Sequence, residues 1–221
     1  MDAERKVNII TLDNAGTTTR VDTSAWPYAD SVIIHTQRKY IALRGEATNC
    51  FAFSLVAHTK LSEQRTIRVF ELQNEFSVSP RLVRLHVSWE TVVFWKWISH
   101  STLGFVTTNA VFTWSIPTAP SNPNAVVSGT FSLENDRIVD YIVSTNDNWH
   151  ALVCHRRDRA NVRNVNGVIQ LFNRGGNAYQ IIEGTAAAFL EVRLEGALSL
   201  TTLLVIADKC NGSSSVCGLF V

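Results

Sequence analysis

The chain has 221 residues, 46% of them apolar, and its 20 lysines and arginines nearly balance 19 aspartates and glutamates, for a formal net charge of +1. That length and apolar fraction suit a globular domain with a sizeable core and exclude a disordered chain. The near-neutral balance excludes a global field that would steer the protein to nucleic acid or to an anionic membrane.

The first residues, Met1-Asp2-Ala3-Glu4-Arg5-Lys6, lack the apolar stretch of a signal peptide. No later run approaches the roughly 18 to 20 apolar residues that span a bilayer, so the sequence reads as cytosolic. The first predicted strand is Val7-Asn8-Ile9-Ile10-Thr11-Leu12, and the next candidates are Ala29-Asp30-Ser31-Val32-Ile33-Ile34 and Ile41-Ala42-Leu43. Ile67-Arg68-Val69-Phe70-Glu71-Leu72 follows. Then Phe94-Trp95-Lys96-Trp97-Ile98-Ser99 and the longer run Val106-Thr107-Thr108-Asn109-Ala110-Val111-Phe112-Thr113-Trp114-Ser115 place aromatics at alternating positions of two strand-like runs joined by a Ser/Thr/Gly turn. Such a unit suits one blade of a β-propeller. Trp95, Trp97 and Trp114 alternate with small or polar residues, as buried blade positions should.

The stretch at residues 117–124 holds three prolines, which cannot donate to a ladder, and reads as a surface connection separating two blades. Further strands are expected at Trp149-His150-Ala151-Leu152-Val153-Cys154, Gly167-Val168-Ile169-Gln170-Leu171-Phe172, Thr202-Leu203-Leu204-Val205-Ile206-Ala207 and Ser215-Val216-Cys217-Gly218-Leu219-Phe220. Thr185-Ala186-Ala187-Ala188-Phe189-Leu190-Glu191-Val192 is helix-prone by its alanines but runs into β-branched sequence, and reads as a strand after a turn at Glu183-Gly184. Similar segments thus return roughly every 40 to 60 residues, the period of propeller blades.

Catalytic and metal-binding patterns are absent. The cysteines Cys50, Cys154, Cys210 and Cys217 form no CxxC pair and read as buried or incidental thiols. Of the histidines, only His150 and His155 lie close together, with Cys154 between them. Strand alternation sets His150 and Cys154 on one face and His155 on the other, so no metal and no cofactor are expected. No nucleophile elbow, phosphate loop or dinucleotide fingerprint occurs, and the chain reads as a non-enzyme. The cluster His155-Arg156-Arg157-Asp158-Arg159 with Arg163 lacks the interleaved aromatics of a nucleic-acid platform and reads as a charged hairpin loop.

At several of these segments, taken in order, the chain resembles the N-terminal β-propeller of the clathrin heavy chain. The carrying residues are 29–34 with 41–43, then Phe94-Trp95-Lys96-Trp97-Ile98-Ser99, then 106–115, then Asn166-Gly167-Val168-Ile169-Gln170-Leu171-Phe172, Ile182-Glu183-Gly184 with 185–189, and Leu194-Glu195-Gly196. The resemblance implies an all-β, seven-bladed propeller family of which this chain covers roughly four blades, an incomplete ring that leaves edge strands exposed. Residues 46–64 have no counterpart in the family and are either an insertion or an untrimmed intron. The second is favoured, because Cys50-Phe51-Ala52-Phe53-Ser54-Leu55-Val56 is apolar for a surface loop.

The resemblance also implies a function: docking short Leu-rich acidic adaptor peptides in grooves between blades, for vesicle-mediated intracellular transport and endocytosis. The location would be cytoplasmic, at coated pits and vesicles, with only indirect membrane association. Light-chain and trimer contacts would belong to parts of a full-length chain missing here. Val7, Ile41, Thr66, Phe70 and Leu72 match the groove between the first two blades, and Arg68 stands where the family has glutamine. Asn74-Glu75-Phe76-Ser77 stands where the family has lysines, leaving Arg81 or Arg84 to supply positive charge. Trp149, Leu171, Gln180 and Ile182 match a second groove, where Gly176 replaces a basic residue. On the top face, Arg137 and His155 replace polar-neutral and aliphatic residues. The alternative is a generic WD-like interaction scaffold, which would show the repeat without the Phe-Trp-Lys-Trp-Ile-Ser and Ile-Glu-Gly elements.

Overall fold

The computed structural model describes residues 9–12, 18–21, 29–35, 40–46, 65–71, 81–88, 90–116, 122–128, 133, 136–157, 165–174, 178–193, 195, 199–210 and 213–220. Among them there are seventeen strands and no helix. The chain divides into two compact units. The first comprises Met1–Thr91, Ser99–Thr102 and Trp114–Pro123, and the second Val92–Ile98, Leu103–Thr113 and Asn124–Val221.

In the first unit, β1 (Ile9–Leu12) and β2 (Thr18–Val21) form a two-stranded ribbon. β3 (Ser31–Ile34), β4 (Tyr40–Glu46), β5 (Arg65–Glu71) and β6 (Arg81–Ser88) form a four-stranded antiparallel sheet in sequence order. Its central strands are buried on both faces, with Tyr40, Ile41, Ala42, Leu43, Ile67, Val69 and Phe70 in the core. The outer strand β6 alternates between half-buried and exposed positions over most of its length, as an edge with one wet side should.

The second unit contains most of the sheet built from β7 (Val92–Trp97), β8 (Thr102–Thr107), β9 (Ala110–Ser115) and β10 (Asn124–Ser128). It also holds a sheet of β11 (Asp136–Val143), β12 (Trp149–Arg157), β13 (Val165–Asn173) and β14 (Tyr179–Glu183). Last comes a three-stranded sheet of β15 (Ala186–Val192), β16 (Thr201–Cys210) and β17 (Ser213–Phe220). Each sheet is an up-and-down antiparallel meander, the architecture of a propeller blade, so the fold is all-β and of propeller class.

Three expectations need correction. The run at residues 106–115 is not one strand: Val106 and Thr107 end β8, and β9 begins at Ala110. Thr107 folds the chain between them, its hydroxyl oxygen accepting from the amides of Asn109 (3.3 Å) and Ala110 (3.0 Å). A side-chain turn of this kind is invisible to a β-propensity reading. The proline-containing connection does not separate two blades, because β9 and β10 on either side of it pair antiparallel in one sheet. Prolines exclude a ladder strand, but they do not say which two strands a loop joins. Trp95 and Trp114 are buried as expected, whereas Trp97 is only half-buried.

Sheet contacts in the second unit follow the alternation of side chains. One face of the β11–β14 sheet presents Tyr141, Leu152, Cys154, Val168 and Phe172 to Val106, Val111 and Val126. The other presents Ala151, Ile169 and Leu171 to Leu204 and Ile206. Lys96 bridges the first contact, its Nζ donating to Asp140 Oδ1 at 2.6 Å. At the end of the β13–β14 ladder, the amide of Gly184 donates to the carbonyl of Gly167 at 3.0 Å. A Cβ on Gly167 would run into the carbonyl of Gly184, so this close approach requires glycine in the Ile-Glu-Gly motif's partner strand.

Candidate functional site

Strand pairing in the first unit brings most of the expected groove residues onto one face. In the β4–β5 ladder Ile41 lies opposite Phe70, Leu43 opposite Arg68, and Gly45 opposite Thr66. Directly opposed residues share a face, so Ile41, Leu43, Thr66, Arg68 and Phe70 form a single patch drawn from two segments distant in sequence. Ile41, Leu43 and Phe70 pack together, with Ala29 against them. The Thr66 hydroxyl donates to the carbonyl of Gly45 at 3.2 Å.

The same face continues outward. On β6, Val87 opposes Thr66, Leu85 opposes Arg68 and, after a bulge, Leu82 opposes Phe70. On β3, Val32 opposes Leu43 and Ile34 opposes Ile41. The centre of this apolar band is buried, with Ile41 at 1% and Phe70 at 7% exposure, whereas Leu82, Leu85 and Val87 are 49%, 38% and 41% exposed. Sequence reading did not single out Leu43, Leu82, Leu85 or Val87, although Leu43 follows Ile41 at the strand period of two. Val7, Leu72 and residues 74–77 lie outside the described residues.

Of the basic residues expected to serve this face, Arg81 is paired with Glu71, to which both Nε (3.1 Å) and a terminal nitrogen donate. A terminal nitrogen of Arg84 donates to the carbonyl of Val83 at 2.9 Å. Both residues oppose β5 positions on the other face of the sheet, Glu71 and Val69. Arg68 alone lies on the apolar face, 8% exposed.

The second expected groove is likewise one face of one sheet. Leu171 opposes Gln180, Ile169 opposes Ile182, and Trp149 opposes Asn173. Leu171 is buried, Trp149 and Ile182 are half-buried and Gln180 is exposed. Phe189, Ala187, Leu204 and Ile206 pack against this face, so much of its apolar surface is taken up by the next sheet. Gly176 is outside the described residues. Arg137 and His155 oppose each other across β11 and β12, and both are exposed.

The polar groups on the opposite face of that sheet hold it together. Asp136, with a fully buried side chain, accepts from Arg156 Nε (2.7 Å) and a terminal nitrogen (2.8 Å) and from Gln170 Nε2 (2.9 Å). Gln170 in turn accepts from the Tyr179 hydroxyl at 3.1 Å. Arg156, part of the basic cluster in sequence, is therefore committed to a structural pair. His150 stacks on Phe172 at 5.7 Å between ring centroids, and its Nδ1 lies 2.9 Å from the Tyr141 hydroxyl. Burial, with help from the positive charge of Arg174, pulls the His150 imidazole down to about 4, so it is neutral at neutral pH. Burial beside Asp136 pushes the Cys154 thiol up to about 12, which leaves it unreactive. No group of three or more His, Cys, Asp or Glu side chains among the described residues could hold a metal ion.

What these faces offer is an apolar trough with one central cation and no catalytic constellation. No family model matches the chain. A Drosophila melanogaster clathrin heavy chain is 30% identical over 204 residues, 92% of this chain and 10% of that protein. A Dictyostelium discoideum clathrin heavy chain is 36% identical over 128 residues, 58% of this chain and 7% of that protein. Likeness to solved structures is slight and carries no argument. A puromycin-hydrolyzing peptidase of Mycobacterium tuberculosis aligns over 88% of this chain and 36% of that one, with a TM-score of 0.37 and 12% identity. The chain thus spans about a tenth of the length of the curated relatives it matches. With the blade-like sheets and the order of the matching segments, these relatives show that the chain belongs to the clathrin heavy chain family.

Proposed function

We propose that this chain serves a clathrin coat by docking adaptor proteins. Short extended peptides rich in leucine and acidic residues lie on the Ile41–Phe70 face, and a second such site uses Trp149, Leu171, Gln180 and Ile182. The observation that carries the reading is the direct opposition of Ile41 and Phe70 across β4 and β5, with Leu43 packed beside them. An aliphatic and aromatic trough flanked by half-exposed leucines is what leucine side chains of an extended ligand require. Contacts of this size are weak singly and gain strength when many copies are displayed together on a coat. The reading places the protein in the cytoplasm at coated pits and vesicles, in endocytosis and intracellular protein transport. Binding to membranes is indirect and passes through the adaptors.

Phe70→Ala tests it. Truncating an aromatic at the centre of a small contact costs about 2 kcal/mol or more, so a calorimetric titration of the intact protein with a Leu-rich acidic peptide should show binding weakened by roughly thirtyfold. Far-ultraviolet dichroism checks that the variant keeps its strands. Unchanged binding in a folded Phe70→Ala protein would remove the groove assignment and leave only the fold and the family.

A further inference from the structure

Tyr141 of β11 ties two sheets of the second unit together. Its ring lies over Gly104 of β8, where a Cβ would come within 2.5 Å of it, and packs with Val106 and Val111 of the same sheet. The ring thus fills a notch that only glycine leaves open. Beside it, Asp140 accepts from Lys96, the residue opposite Gly104 in the β7–β8 ladder. Behind it, the Tyr141 hydroxyl lies 2.9 Å from Nδ1 of His150, whose imidazole stacks on Phe172 with 3° between the ring planes.

His150 has a second partner close at hand. Its Nε2 faces the turn between β11 and β12, where Asp147 Oδ1 is 3.7 Å away, just beyond hydrogen-bond length. That carboxylate favours a proton on Nε2, which leaves Nδ1 to accept from the Tyr141 hydroxyl. Tyr141 and His150 are fully buried, whereas the Asp147 side chain is 53% exposed. The other titratable and charged groups near the ring are Cys154, further along β12 and held neutral by burial, and Arg174 after β13, which donates to Asp147. β13 itself contributes only Phe172. A proton added at Nδ1 takes away the acceptor of the Tyr141 hydroxyl and makes a cation of a ring shut away from water. The nearest relief for that charge is the Asp147 carboxylate at the surface. We propose that His150 is a proton-operated latch between the β7–β10 and β11–β14 sheets. Neutral, it holds Tyr141 in the Gly104 notch; protonated, it exchanges Tyr141 for Asp147, and the contact between the sheets loosens.

The test is amide hydrogen exchange on the intact protein from neutral pH down through the His150 transition near 4, with nitrogen NMR of the imidazoles alongside. Protection is corrected for the intrinsic pH dependence of exchange. Wild type should lose protection in β8 and β11 together, by roughly tenfold or more, while β4 and β5 stay protected. That step should coincide with protonation of a His150 that carries its neutral-state proton on Nε2. His150→Phe keeps a ring on Phe172 but takes no proton, and should lack the step. Asp147→Asn still offers oxygens to Arg174 but has lost its charge, so the step should move to lower pH by roughly one unit. A step that persists in folded His150→Phe, or that in wild type comes at a pH where His150 is not titrating, would overturn the latch. So would loss of protection in β4 and β5 along with β8 and β11, which is global unfolding. A step left in place by Asp147→Asn would overturn the exchange of partners. If His150→Phe does not fold, the coincidence of the two wild-type titrations decides alone.

Discussion

At the scale of single residues, burial decides what each polar group does. His150 is enclosed by Tyr141 and Phe172, with Arg174 and Asp147 the charged groups near it. Its imidazole is held near 4, below the ordinary value of 6.5, so between those values the unfolded chain binds the proton that the folded chain refuses. The stabilisation is therefore complete above pH 6.5 and falls away as pH drops toward 4, by up to about 3 kcal/mol. His86 and His35 are shifted in the same direction by burial and add to the trend. Urea melts at a series of pH values should show wild type weakening across that window, and His150→Gln should show a shallower dependence. Equal slopes for the two proteins would show that the imidazole carries a proton in the fold. Asp147, at the turn between β11 and β12, adopts φ of 58°, a left-handed conformation that aspartate tolerates. There its carboxylate and carbonyl both accept from Arg174.

At the scale of elements, the β4–β5 ladder bears on the segment that the family resemblance leaves unmatched. The ladder runs without a break from Tyr40 opposite Glu71 to Glu46 opposite Arg65, so Glu46 is itself a rung. If residues 47–64 are additional to the fold, replacing them by a two-residue turn of the Asn-Gly type should keep the sheet and improve solubility, because the strands meet in hairpin register. Unfolding of that variant, with the parent chain well behaved, would make the segment a working part of the protein. Strand identity was legible in sequence for β9, β12, β13 and β16, where β-branched, aromatic and other apolar residues are frequent, and for β15 despite its alanines, because of the turn at Glu183-Gly184 before it and the β-branched sequence it runs into. Less legible were strand ends and connections. The Thr107 turn and the pairing of β9 with β10 across a proline-containing loop depend on side-chain capping and on tertiary order, which no periodicity encodes. Ile41, Thr66, Arg68 and Phe70 were each named from the sequence, and the register sets all four on one face of the β4–β5 ladder. That Arg81 is spent on Glu71, on the opposite face of the sheet from Arg68, is a fact of register, visible only once β5 lies between β4 and β6.

At the scale of the whole molecule, the described residues hold three four-stranded antiparallel meanders, each with buried central strands, beside one sheet of three strands and one of two. The faces of such sheets are where an extended ligand finds both apolar cover and strand-like order, and the centre of the account is that a Leu-rich acidic peptide lies on the face bearing Ile41, Arg68 and Phe70. The most direct measurement is photo-cross-linking of the intact protein with a Leu-rich acidic peptide that carries a photoreactive leucine, followed by mass-spectrometric mapping of the adducts. The account predicts adducts in β4, β5 and β6, at residues 40–46, 65–71 and 81–88, competed away by unlabelled peptide and reduced by Phe70→Ala. Competed adducts confined to other strands, with none on β4 to β6, would contradict it.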